Sequence, residues 1–297
     1  MQLTLRDFFM RLPLISGIGL KTTTACWRWV ECQPELTQIG PTTLARLCQE
    51  MALPPKKADH LQHPLFSTAI GEQVTTNLTH TGCLTIVDAG YPQPLRETFA
   101  PPVALYFLGD VRLVHAPQLA VVGSRKPSPY ALAAMRLLLP NVVQKRICLV
   151  SGLAQGVDTL AHQAALAYRG RTIAVIGTGL DQCYPATNRS LMRELCQSQL
   201  VFSEYPWGTH GARHHFPERN RIIAGLASST LVVEAAHHSG SLITANIALQ
   251  ENRNVLAIPG AVNNPNSVGT NELILAGAKP ILKPEHIIEE VLVDNLP

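Results

Sequence analysis

From residue 118 onward, short apolar, mostly β-branched runs recur at 119–122, 147–150, 172–176, 200–202, 230–233 and 255–258. Amphipathic stretches near 129–144, 157–168, 188–197, 219–226 and 241–252 separate them. A strand buried on one face alternates apolar and polar side chains, whereas these runs are nearly continuously apolar, as strands covered on both faces are. Strand-then-helix repetition of this kind predicts an α/β fold with a doubly wound, mostly parallel sheet. A short strand at 280–282 and a helix at 285–293 close the pattern. Between 80 and 115 the character differs: strands are predicted at Cys83–Val87 and Ala104–Leu108, with Pro92, Pro94, Pro101 and Pro102 punctuating the connection. Residues 1 to about 75 read as helical with few strand-like runs. The expected division is therefore a small helical domain over 1–78 and a sheet domain over 79–297.

Composition narrows this picture. Apolar residues form 46% of the 297 and charged residues 15%, which suits a large core and excludes a disordered chain. A net charge of +3 is too small for a diffuse cationic coat, so any nucleic-acid site must be a local patch. The seven cysteines are scattered without a Cys-x-x-Cys pair, which predicts a reducing cytoplasmic setting and no metal site. Arg6, Asp7, Arg11 and Lys21 interrupt the apolar residues of the N-terminus, leaving no signal-peptide core and no membrane span.

Ligands of parallel sheets bind where strand ends meet helix starts, and the polar and glycine residues of this chain gather there. The first strand runs into Gly123-Ser124-Arg125, a tight turn followed by a hydroxyl and a planar cation suited to phosphate. The second runs into Ser151-Gly152-Leu153-Ala154-Gln155-Gly156-Val157-Asp158, with His162 four residues on. Asp158 and His162 fit a structural hydrogen bond or, less simply, an acid/base couple. Gly177-Thr178-Gly179-Leu180-Asp181 and Tyr184-Pro185 follow the third strand. No Gly-x-Gly-x-x-Gly or P-loop sequence occupies these positions, so no nucleotide cofactor is expected. After the fourth strand, Arg213-His214-His215-Phe216-Pro217-Glu218-Arg219-Asn220-Arg221 sets three arginines around one phenylalanine. Stacking of an unpaired base on such a ring is worth roughly 1–3 kcal/mol and tolerates any sequence. A core role for Phe216, with the arginines paired to Glu204, Glu218 or Glu234, is the alternative. Ser239-Gly240-Ser241 opens a later helix with hydroxyls and free N–H groups, a second anion seat. In the N-terminal region, Gly17-Ile18-Gly19 is a turn between helices that either presents N–H groups to a phosphate or simply links them.

These stretches, with Phe216-Pro217-x-Arg219-Asn220-Arg221-Ile222-Ile223-Ala224-Gly225-Leu226, Val233-Glu234-Ala235 and Asn264-Pro265-x-Ser267-x-Gly269, resemble in order the DNA processing protein A family, also called DprA or Smf. The resemblance spans about 84–280. It implies an extended Rossmann-like fold that binds single-stranded DNA in a positive pocket, forms a homodimer, and helps load the RecA recombinase during natural transformation, with no catalysis. It also implies that Arg125, Arg213, Arg219 and Arg221 contact phosphates, that Phe216 stacks on a base, and that Gly123, Ser124, Ser151, Gly152, Asn220 and Ser239–Ser241 line the pocket. A helical module of helix-hairpin-helix or SAM-like type is common at the N-terminus of the family. Two departures stand out: Gln155 replaces a frequent arginine, and the chain is expected to lack the C-terminal winged-helix-like domain of many members. The rival reading is a related Rossmann-like enzyme that cleaves nucleotide N-glycosidic bonds through Glu234, Asp158 or Asp181. A passive protein scaffold is a third, and it predicts no affinity for DNA.

Overall fold

The computed structural model describes residues 2–293, which divide into two compact units: one reaching to Phe107 and taking back Glu204–Trp207, the other built from 108–203 and the chain from Gly208 onward. In the first unit, helices Leu5–Arg11, Leu20–Glu31, Pro41–Glu50, Pro55–Leu65 and Thr68–His80 surround a core that includes Phe8, Phe9, Leu12, Leu44, Leu61 and Leu65. The region is not purely helical. Leu3–Thr4 pairs antiparallel with Gln38–Ile39, two residues each and too short to leave a period-two signal. Strand Gly82–Thr85 pairs antiparallel with strand Ala104–Gly109, Gly82 opposite Phe107.

The second unit carries the predicted alternation. Its strands are β1 Gln118–Val122, β2 Cys148–Ser151, β3 Thr172–Ile176, β4 Leu200–Ser203, β5 Ser229–Val232, β6 Asn254–Ala257 and β7 Lys279–Pro280. Its helices are α1 Pro129–Gln144, α2 Val157–Ala167, α3 Arg189–Ser198, α4 His215–Leu226, α5 Gly240–Gln250, α6 Val268–Leu275 and α7 Pro284–Val293. All seven strands run parallel in the order β7-β6-β5-β1-β2-β3-β4. Every residue of β1 to β5 is buried, which is why these runs carry no polar alternation. Helices α1, α2 and α7 cover one face, where Leu119, Leu138, Val142, Leu149, Ala161, Leu231 and Ile287 form a continuous core. Helices α4 and α5 pack on each other and on the sheet. Helices α1, α2 and α5 are followed by Arg146, Arg169 and Asn252 with φ near +60°, left-handed stops without glycine.

Strand order reverses between β1 and β5: the chain builds outward from β1 to β4, then α4 carries it back to β5 on the other side of β1. At such a reversal the flanking loops leave in opposite directions and open a crevice at the carboxyl ends of the strands. Sequence placed the start of α4 near residue 219. It begins at His215, so Phe216 and Arg219 lie in its first two turns and project over the ends of the strands that α4 crosses.

Candidate nucleic-acid interface

A cleft of about 680 Å³ occupies this crevice, lined by the β1 loop (Gly123, Ser124, Arg125), the start of α4 (Arg213, Phe216, Pro217, Arg219, Asn220) and the start of α5 (Ser239, Gly240, Ser241, Ile243, Thr244), with Ala154, Asp158 and Tyr184 beside them. A side slot of about 100 Å³ extends beneath Phe216 and Tyr184 between Gly152, Ala154, Gln155 and Gly177. Ten of the thirteen expected site residues line the main cleft, and Gly152 lines the slot. Ser151 and Arg221 reach neither. Ser151 is fully buried and donates its hydroxyl to Val121 O at 2.7 Å, tying β2 to β1. Arg221, 9% exposed, faces away from the cleft, because two residues beyond Arg219 along a helix turn a side chain far around its axis.

The loops are held by buried polar residues. Glu234, just past β5 and 2% exposed, accepts from Ser128 N at 2.9 Å and from Ser128 Oγ at 2.5 Å, anchoring the end of the β1 loop across the strand reversal. Asn188 donates to Leu153 O and to Thr159 Oγ1, both at 2.8 Å, and fixes the β2 loop. That loop turns at Gly156 with φ +80°, where a Cβ would collide with the backbone of Ser124 and Arg125. Val157 N donates to Ser124 O, so the β1 and β2 loops support each other.

Asp158 and His162 do not bond to one another. His162 is wholly buried and its Nδ1 lies 2.7 Å from Thr172 Oγ1, which gives its own proton to Leu149 O. The imidazole is therefore the donor in that contact, in its Nδ1–H form. Burial first, and the Arg219 charge second, push its pKa down to about 3. Asp158 Oδ2 accepts from Gly152 N at 3.1 Å and Ala154 N at 3.3 Å. Burial raises its pKa, against the pull of Arg219 and these N–H groups. The carboxylates named for the N-glycosidase reading are all engaged in this scaffolding: Glu234 and Asp158 as described, and Asp181 with Gly208 N at 2.8 Å.

The cations differ in their surroundings. Arg125 and Arg213 are exposed and form no ion pair among the described residues. Arg219 is 5% exposed, and its Nη1 donates to Gly152 O at 2.5 Å and to Val175 O, while Nε reaches Asn220 Oδ1 at 3.2 Å. Phe216 is half-buried and packs against Gly177 and Gly211. Tyr184, 58% exposed, tilts over it with ring centroids 5.2 Å apart. Sequence reasoning missed Tyr184 as a site residue, although its place after the third strand end marked it for the same crevice. At the α5 start, Ser239 Oγ lies 2.9 Å from Ser241 Oγ, and neither hydroxyl caps the helix. The cleft thus combines two unpaired guanidinium groups, an aromatic pair and an open helix N-terminus, an arrangement that takes a phosphate chain and an unpaired ring together.

The model of the family described as DNA recombination-mediator protein A matches residues 82–292. The chain belongs to this family. Among curated relatives, the DNA processing protein DprA of Streptococcus pneumoniae is 43% identical over 205 residues, 69% of this chain and 72% of the relative. Protein Smf of Escherichia coli is 43% identical over 202 residues, 68% of this chain and 54% of the relative, so the chain spans about half of that family member. The X-ray structure of Streptococcus pneumoniae DprA superposes with a TM-score of 0.86 at 33% identity, covering 98% of this chain and 99% of the other. The DNA processing protein A of Helicobacter pylori, solved for its single-stranded DNA binding mode, gives a TM-score of 0.65 at 30% identity over 73% of this chain and 98% of the other. The family fold is thus the extended Rossmann-like one, and Gly123–Arg125, Phe216, Arg219, Asn220 and Ser239–Ser241 among the residues that carried the resemblance line the cleft.

Proposed function

We propose that this chain binds single-stranded DNA in the cleft at the strand reversal and acts there as a recombination mediator without catalysing a reaction. The observation that carries the reading is the juxtaposition of Arg125 and Arg213, both unpaired and exposed, with the Tyr184–Phe216 pair across one cleft. Free guanidinium groups hold phosphates, and the half-buried ring offers a face that only an unpaired base can reach. The family's Helicobacter pylori member, described by its single-stranded DNA binding mode, supports the same ligand. Homodimer formation, delivery of the strand to RecA during natural transformation, a cytoplasmic setting, and a separate helical domain over 1–78 complete the proposal. Among the described residues no helix is long and apolar enough to cross a membrane.

Fluorescence anisotropy with labelled oligo-dT and with a duplex of equal length tests this reading. The single strand is expected to bind more tightly, and Phe216→Leu to weaken it by about fivefold or more through loss of stacking. Equal affinity for both DNA forms, or no binding to either, would overturn the proposal.

A further inference from the structure

Gly152, at the end of β2, is gripped through both of its peptide groups: its N–H donates to Asp158 Oδ2 at 3.1 Å and its C=O accepts from Arg219 Nη1 at 2.5 Å. The same Nη1 also donates to Val175 O of β3, so one guanidinium bridges the carboxyl ends of neighbouring strands. The fit leaves no room for a side chain, since a Cβ on Gly152 would overlap the Arg219 guanidinium. Asp158 also takes Ala154 N, and Ala154 lines both the cleft and the slot beneath Phe216. Arg219 and Asp158 are 5% and 8% exposed, beneath the surface that Arg125 and Arg213 present.

We infer that Arg219 and Asp158 are a buried positioning pair that clamps Gly152 and sets the floor of the cleft, and that Arg219 makes no phosphate contact of its own. The inference rests on the proposed single-strand binding and reverses the role that the sequence suggested for this arginine. A phosphate needs a cation that can shed water and meet it at the surface, whereas this guanidinium gives Nη1 to two backbone carbonyls and Nε to Asn220 Oδ1. The distinction has a chemical signature. Lysine replaces arginine as a point charge against phosphate, but its single nitrogen cannot both bridge the two carbonyls and hold Asn220 Oδ1, as Nη1 and Nε of the planar guanidinium do.

The test is the salt dependence of oligo-dT binding by the full chain and by R219K and D158N. Each phosphate contact on a single strand contributes about 0.7 to the slope of log affinity against log salt. R219K and D158N are each expected to weaken binding by about tenfold or more with the wild-type slope retained, as loss of charged hydrogen bonds in the floor requires. D158N carries the test if R219K does not fold, because asparagine keeps the carbonyl oxygen and the shape. Wild-type affinity in R219K or D158N would overturn the inference, since lysine serves a phosphate contact as a point charge. Absence of binding by the wild-type chain would instead sink the proposed function and is separable from these results.

Discussion

Arg213 and Arg219 lie six positions apart yet end in opposite surroundings, one exposed at the cleft rim and one at 5% exposure beneath it. Their sequence context is the same, so only the helix they flank separates them: Arg213 precedes α4, and Arg219 sits in its second turn, facing inward. His162 makes a similar point about buried polar residues. With its pKa pushed down to about 3 by burial and by the Arg219 charge, it stays neutral in the folded protein, while the unfolded chain takes up a proton near 6.5. Its contribution to stability is therefore complete above about pH 6.5 and is lost as pH falls from there toward the folded value. Between about pH 7.5 and about pH 5.5 the wild-type chain should lose roughly 1.4 kcal/mol more unfolding free energy than H162Q. Urea unfolding of both chains checks this. Asp158, whose pKa burial raises, responds with the opposite sign but is common to both. Equal losses would show that His162 is not held neutral.

At the scale of the element, the β2 loop joins local backbone geometry to the site. Leu153 with φ +56° and Gly156 with φ +80° let the chain fold back so that Ser124 O receives Val157 N. G156A would combine a strained left-handed φ with a clash against the backbone of Ser124 and Arg125. The cost expected is about 1–3 kcal/mol, visible as a lowered Tm in thermal unfolding, together with weaker oligo-dT binding. An unchanged Tm would contradict the account of this turn. The core elements of the second unit were readable in the sequence, because a strand buried on both faces and an amphipathic helix leave distinct patterns. The start of α4 was not. Arg213 to Glu218 is polar except for Phe216 and has a proline at 217, which reads as a loop, although proline is well tolerated in the first turn of a helix. The two-residue strands Leu3–Thr4 and Gln38–Ile39 were too short to show a period.

For the whole molecule, the position of the site followed from topology, and its membership followed only in part. Alternation of strands and helices implied a crevice at the carboxyl ends, and the strand order β7-β6-β5-β1-β2-β3-β4 places it between β1 and β5. Sequence patterns identify loops that end at that edge, but not which side chains turn out of them. Arg125, Arg213, Phe216 and Ser239–Ser241 do so; Ser151 and Arg221 turn inward, and Tyr184 joins from the β3 side. What distinguishes the members is charge compensation: Arg219 lies among carbonyls and beside Asp158, while Arg125 and Arg213 have no carboxylate partner among the described residues. The most direct test of the central claim is the affinity for oligo-dT across a series of salt concentrations, for the wild-type chain and for the R125A/R213A double variant. Loss of two phosphate contacts should reduce the slope of log affinity against log salt by about 1.4 and weaken binding at every salt concentration. A double variant that retains the wild-type slope and affinity would contradict the assignment of this cleft to single-stranded DNA.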